Sequence, residues 1–173
     1  MKNILKFALP SVAFLVSQST VVFAQTEVVE AWKGADPTRD FVFSTMGGLG
    51  VINNSAGFGF VGAVSKKIVN HGFVPDISNQ VFIEVEAGPV FTGSANPFWF
   101  STHLRWDFHK DSLWSLFALG GATGQVVGTG AGTSQFNLFL RTGIGAFYHF
   151  NEQVSLRAEF SHEFTGLGVT WGL

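Results

Sequence analysis

Ser134-Gln-Phe-Asn-Leu-Phe-Leu-Arg-Thr-Gly-Ile-Gly-Ala-Phe-Tyr-His-Phe-Asn-Glu-Gln-Val-Ser-Leu-Arg-Ala-Glu-Phe-Ser-His-Glu-Phe-Thr-Gly-Leu-Gly-Val-Thr-Trp-Gly-Leu173 decides how the chain is read, because its apolar residues recur at every second position. One parity carries Phe136, Leu138, Leu140, Ile144, Tyr148 and Phe150. After a turn it continues with Val154, Leu156, Phe160, His162 and Phe164, then Leu167, Val169, Trp171 and Leu173. The opposite parity carries Asn137, Arg141, Gly143, Gly145, His149, Ser155, Arg157, Glu159, Ser161 and Glu163. Successive strand side chains point to opposite faces, so these residues form a sheet with one greasy surface and one surface of glycines and charges.

Composition decides which surface is inside. An ordinary soluble domain carries roughly 25% charged residues, whereas this chain of 173 residues has 13%, with 46% hydrophobic residues, 21 glycines and 20 phenylalanines. That is too little charge to wet a normal surface. Beyond the N-terminus, no apolar run approaches the ~20 residues a membrane helix needs. A closed barrel is the remaining way to place so much apolar surface in lipid, since all its backbone polar groups pair between strands. The net charge of -2 makes nucleic acid an unsuitable partner, and with no cysteine there is neither a disulfide scaffold nor a thiolate metal site. No pattern in the sequence asks for a cofactor or a metal. The length fits one domain.

Residues 1–24 read as a secretory signal peptide: Lys2 and Lys6 precede an apolar stretch, and Val22-Phe23-Ala24 places small residues for cleavage after Ala24. Pro10 and the polar Ser17-Gln18-Ser19-Thr20 break shorten the apolar core and argue against a membrane anchor. Residues 25–40 form a periplasmic lead-in without sustained period, and residues 41–173 form the barrel. Its strands are expected at Phe41 to Val51, Ala56 to Ile68, Gln80 to Thr92, Phe98 to His109 and Leu113 to Thr123, with three more in the quoted stretch. The facing of the fifth is open, because Trp114, Leu116 and Phe117 straddle both parities. Gly124 to Gly132 reads as a glycine-rich loop, and not as a phosphate cradle, since neither Lys nor a helix follows it. The total is an all-β, eight-stranded antiparallel up-and-down transmembrane β-barrel, whose strands have the ~9–11 residues that tilted spans need.

Thr142-Gly-Ile-Gly-Ala-Phe-Tyr-His-Phe-Asn-Glu-Gln-Val-Ser-Leu-Arg-Ala-Glu-Phe160 and the ending Gly168-Val-Thr-Trp-Gly-Leu173 resemble the last strands of the small OmpA-like and opacity-type outer-membrane barrels. The resemblance covers about Ser134 to Leu173. It implies insertion in the outer membrane of a Gram-negative envelope, contact with outer-membrane lipids including lipopolysaccharide, a monomeric state and no single activity. It also implies that the barrel assembly machinery reads the last strand at Gly168, Trp171 and Leu173, although Leu173 stands where the family usually has Phe. No peptidoglycan-binding domain follows the quoted strands, so the tethering role of full-length OmpA-like proteins is not carried over.

With the N-terminus periplasmic, charged residues can be levelled by counting from the periplasmic turns. Glu84, Arg105 and Arg157 then meet in one layer, Glu86, His103 and Glu159 in a second, and Arg141 with Ser161 or Glu163 in a higher one. Buried charges are costly unless paired, so this set reads as a structural plug in a barrel with a membrane-integrity role or, second, a surface-interaction role through its loops, with a narrow pore as the functional alternative. An enzymatic alternative, lipid A modification of the deacylase kind, draws on Ser161-His162-Glu163. Adjacent strand residues face opposite ways, however, so Ser161 and His162 cannot pair within one strand. Trp106, Phe108, Tyr148 and Phe150 are expected as an aromatic girdle near the periplasmic ends, and Phe98, Phe100, Phe136 and Phe164 as an outer belt. The competing origin of such aromatics is the core of a soluble β-sandwich. One feature fits poorly. Asn70 to Asn79 makes a long periplasmic connection while Thr165-Gly166 makes a minimal outer one, so either the second strand reaches about His71 or one strand is miscounted.

Overall fold

In the computed structural model, residues 32–34, 39–52, 55–93, 96–129 and 132–173 are described. The proposed signal peptide and most of the lead-in lie outside them. Eight strands follow in order: β1 Phe41–Ile52, β2 Ser55–Val69, β3 Asn79–Phe91, β4 Phe98–His109, β5 Trp114–Thr129, β6 Thr133–His149, β7 Val154–Ser161 and β8 Phe164–Gly172. Each pairs antiparallel with its neighbours, and β1 pairs with β8 from Val42↔Gly172 to Gly50↔Phe164, which closes the barrel. The Leu173 amide adds a bond to the Phe41 carbonyl at 2.8 Å. Closure leaves no edge along the paired lengths.

Turn chemistry shapes the end at which β1 begins and β8 finishes, here called the terminal end. Asp111 Oδ1 accepts from the amides of Leu113 and Trp114, both at 2.8 Å, and Asn151 Oδ1 accepts from those of Gln153 and Val154, both at 2.8 Å. Such Asx turns let a short polar side chain replace a backbone acceptor. The long β2–β3 connection is also explained. β2 runs to Val69 with an irregularity between Lys67 and Val69, and the link then folds back on the wall. The Gly72 amide donates to the Asn79 carbonyl at 2.8 Å, Trp106 Nε1 donates to Asn79 Oδ1 at 2.8 Å, and Phe73 packs edge-on against Trp106 at 5.6 Å. The count of eight strands stands.

Two expectations at the opposite, distal end need correction. Gly124 to Gly132 is mostly not a loop: β5 continues to Thr129 and β6 begins at Thr133, with Gly128↔Ser134 and Thr129↔Thr133 still in register. Glycine weakens a strand without forbidding it, and here the neighbouring β4 and β6 hold the ladder together. The last hairpin turns at His162-Glu163, not at Thr165-Gly166. Ser161 staples this turn, its hydroxyl donating to the Phe164 carbonyl at 3.0 Å and accepting from the Phe164 amide at 3.2 Å. Moving the turn changes the facing of one residue. Phe164, assigned above to the outer belt, points into the lumen and is 1% exposed.

Candidate functional site: a filled lumen

The alternation is inside out, as the composition requires. Phe43, Phe60, Val85, Leu104, Leu116, Ile144, Phe160 and Leu167 are exposed on the outer wall, while Glu84, Glu86, Arg105, Arg141 and Arg157 are fully buried within it. β5 resolves its own ambiguity: Trp114 and Leu116 face out, and Phe117 and Leu119 face in.

From the terminal end upward, the lumen is filled in four storeys. The floor is a hydrogen-bonded chain. His109 Nδ1 lies 2.8 Å from Ser115 Oγ, which lies 2.8 Å from His149 Nε2, and His149 Nδ1 lies 2.7 Å from Ser155 Oγ. Arg39, from the lead-in, closes this floor by donating to Ser155 Oγ at 3.1 Å, to the Asn151 carbonyl at 2.9 Å and to the Glu152 carbonyl. Burial lowers the Arg39 pKa from its ordinary value, with Glu152 acting in the opposite sense. Gly172 makes room for it, since a Cβ there would stand 1.9 Å from Arg39 Cδ.

The second storey is an aromatic layer beside the first arginine. Phe82, Phe117 and Phe147 are buried, and the Arg105 guanidinium lies 4.7, 5.8 and 5.0 Å from their ring centres. Desolvated guanidinium–ring contacts of this kind are favourable by up to ~2 kcal/mol each.

The third storey is the ion-pair ladder. Glu84 contacts Arg105, accepts from Arg157 at 2.7 and 3.0 Å, and lies 2.9 Å from His103 Nε2. Glu86 meets Arg157 at 3.0 Å and Arg141 at 2.6 Å. Glu159 accepts from Arg157 at 2.6 Å and contacts Arg141, whose Nε lies 3.3 Å from Glu163. All eight residues expected in the network therefore come together. The layers are not separate, though: Arg157 and Arg141 each reach two levels and lock the ladder vertically. Asp107, outside the expected set, takes Arg105 with both oxygens at 2.8 and 3.0 Å. It sits two residues along the same strand on the same parity, and that spacing was signal enough. Ser44, Ser65 and Ser101 each accept one further guanidinium hydrogen bond, from Arg157, Arg105 and Arg141 respectively.

Register explains how so narrow a barrel holds these groups. Glu159 pairs between Gly145 and Gly166, Arg157 stands beside Gly168, and Arg141 beside Gly121. A missing side chain on the neighbouring strand supplies the volume. The fourth storey is an apolar plug of Met46, Val61, Val90, Trp99 and Phe164 at the distal end. Trp99 lies 5.9 Å from Phe164 and its ring covers Arg141 at 4.8 Å.

The girdle residues fall on one outer band near the terminal end: Trp106 with Phe108 at 4.9 Å, and Tyr148 with Trp114 at 5.0 Å and Phe150 at 5.3 Å. Of the outer belt, Phe100 and Phe136 stack at 6.2 Å and Phe98 is exposed. In the last strand, Gly168 faces inward against Met46, while Trp171 and Leu173 are exposed outside. His162 is exposed, with Nδ1 2.7 Å from Glu163. Ser161 is engaged by Phe164 and not by His162, so the three do not form a triad.

No protein-family profile matches the sequence, and no curated protein sequence does either. Solved structures do match. The N-terminal β-barrel domain of Pseudomonas aeruginosa OprF aligns with a TM-score of 0.62 at 14% identity, covering 78% of this chain and 98% of that one. This is the fold of the small outer-membrane barrels. Neisserial surface protein A aligns at 0.53 with 15% identity, covering 77% and 96%. Ail, the attachment invasion locus protein of Yersinia pestis, solved with the heparin analogue sucrose octasulfate, aligns at 0.50 with 12% identity, covering 77% and 96%. The shared small outer-membrane barrel fold places apolar side chains outside and the ion-pair ladder inside.

Proposed function

We propose that the protein is an integral outer-membrane barrel with a closed lumen and a structural, membrane-integrity role. Its terminal end would face the periplasm and its distal end the exterior. The observation that carries this reading is the filling of the lumen from floor to plug: between Arg39 and the Arg105–Asp107 pair, the internal void is about 20 Å3, roughly the room of a single water. Charged residues buried among one another and beneath Trp99 and Phe164 offer an ion no hydrated path. Outer-membrane lipids, lipopolysaccharide among them, would cover the greasy wall, and the barrel assembly machinery would read Gly168, Trp171 and Leu173 during export of a monomer.

The contact with a sulfated sugar in the Ail structure is not carried over. At the distal end, the described residues expose no Lys or Arg that could receive a polyanion. In planar lipid bilayers the purified protein is expected to give no discrete conductance steps. Unitary steps at moderate voltage would overturn the closed-lumen reading in favour of a narrow pore.

A further inference from the structure

The barrel's register gathers small residues on one side of its outer wall. Ala146 on β6 pairs with Ala158 on β7, Ala158 with Leu167 on β8, and Leu167 with Gly47 on β1. Ala146, Ala158 and Gly47 are half-buried, whereas Leu49, Ile144, Phe160 and Leu167 beside them are exposed at 63%, 62%, 63% and 61%. The low floor and tall ridges leave a trough of about 850 Å3, which runs from Phe108 and Leu116 across β6, β7 and β8 to Leu49 and Phe58. That volume lies within the ~300–1,000 Å3 of small-ligand sites. Among the outward side chains that line it, only Thr165 carries a polar atom.

The girdle fixes the height of this trough. Leu116 lies two residues above Trp114, and Ala146 two above Tyr148, the two rings that meet in the girdle. At the usual strand tilt the trough therefore opens ~5 Å above the ring layer, where the acyl chains of the nearer leaflet begin. On the other side of that layer, Lys110 follows Phe108 on the same parity, and half of its side chain is exposed. Its ammonium lies 4.0 Å from Asp111 Oδ2, at the limit of an ion pair, while Asp111 Oδ1 is held by the turn amides.

Resting on the outer-membrane reading above, we propose that the trough holds one acyl chain of a periplasmic-leaflet glycerophospholipid whose phosphate sits at Lys110. Three observations fit that occupant. Across the trough the backbone pairs from β5 round to β1, so no polypeptide can add there as a strand. The lining offers an apolar surface and asks for no hydrogen-bonding ligand. An acyl chain on a convex wall is touched from one side, whereas one lying in the trough is touched from three, and its dispersion contacts increase accordingly. The third is charge: an exposed ammonium beyond Phe108, at the end where the trough meets the girdle, complements a phosphate.

Solution NMR of the full barrel in uncharged detergent micelles tests this, with phosphatidylglycerol carrying a nitroxide midway along one acyl chain as the probe. Signals of Ala146, Ala158 and Leu167 are expected to broaden saturably, while those of Val85 and Thr102 on the opposite wall stay sharp. Ala158→Phe fills the floor and should weaken binding at least about tenfold, the equivalent of two methylenes of contact. Gly47→Leu is a second filling variant, since a Cβ there meets nothing closer than 3.5 Å; a retained heat-modifiable gel shift shows that each variant folds. Lys110→Gln should weaken binding about fivefold, the worth of one cation at a headgroup layer, and should not change broadening by a nitroxide-labelled diacylglycerol, which lacks the phosphate. Four results would overturn the proposal: equal broadening around the whole wall, which marks an ordinary lipid annulus; unchanged binding in a folded filling variant; no effect of Lys110→Gln; or broadening lost as barrel concentration rises, which marks a second copy in the trough. All four leave the outer-membrane reading intact, whereas a chain that stays folded in solution without detergent would overturn both.

Discussion

Arg157→Ala is expected to destabilise the barrel by about 3–5 kcal/mol, the cost of leaving buried charge without its partner. The Arg157 guanidinium bonds Glu84 at 2.7 and 3.0 Å, Glu86 at 3.0 Å and Glu159 at 2.6 Å, all fully buried at the side chain. It also packs 5.1 Å from the centre of the Phe117 ring. Five buried carboxylates, Glu84, Glu86, Asp107, Glu159 and Glu163, already share three arginines, Arg105, Arg141 and Arg157. Losing Arg157 takes one partner from each of Glu84, Glu86 and Glu159 and leaves five acids to two arginines. Arg157→Lys should recover part of the loss, because an ammonium restores the charge but cannot span three carboxylates as a planar fork does. Urea titration in micelles, followed by tryptophan fluorescence, would read the order wild type, Lys, Ala in falling midpoint. An alanine variant with the wild-type midpoint would show that the ladder contributes nothing to stability.

Gly145→Val is expected to prevent folding of the barrel, whereas Gly120→Ala should be neutral to within about 0.5 kcal/mol. A Cβ at Gly145 would stand 2.1 Å from Phe117 Cζ and 2.3 Å from the Ala158 carbonyl oxygen, which belongs to the adjoining strand and cannot yield without breaking the β6–β7 ladder. At Gly120, by contrast, a Cβ meets nothing within 4 Å. Overpacking ordinarily costs about 1–3 kcal/mol, and backbone on one side with an aromatic ring on the other places Gly145 beyond that range. Loss of the heat-modifiable gel shift in Gly145→Val, with the shift retained in Gly120→Ala, is the expected pair of results. A shifted Gly145→Val band would mean that the lumen can repack around Phe117.

Much of the candidate site is legible in the sequence. Glu84, Arg105 and Arg157 could be levelled by counting, because a two-residue period and a common tilt fix height along every strand. Asp107 obeyed the same rule and could have been included. Arg39 could not, since it precedes the periodic region and reaches the floor only because Gly172, far away in sequence, leaves space beneath it. Trp99 lies between two outward phenylalanines, so its inward facing follows from period, but its position over Arg141 depends on the barrel's curvature.

Period and composition by themselves determined the eight strands, their inside-out facing and the polar identity of the lumen. These are local properties: alternation sets the faces, and scarcity of charge decides which face meets lipid. The tertiary structure decided where strands end and what stands beside them. Gly124 to Gly132 looks like a loop in isolation but is held largely as strand by its neighbours. Phe164 changed sides because Ser161 staples the turn three residues earlier than the pattern suggested. The trough at Ala146, Ala158 and Gly47 arises because the register sets small residues of separate strands side by side, a relation that no single stretch contains.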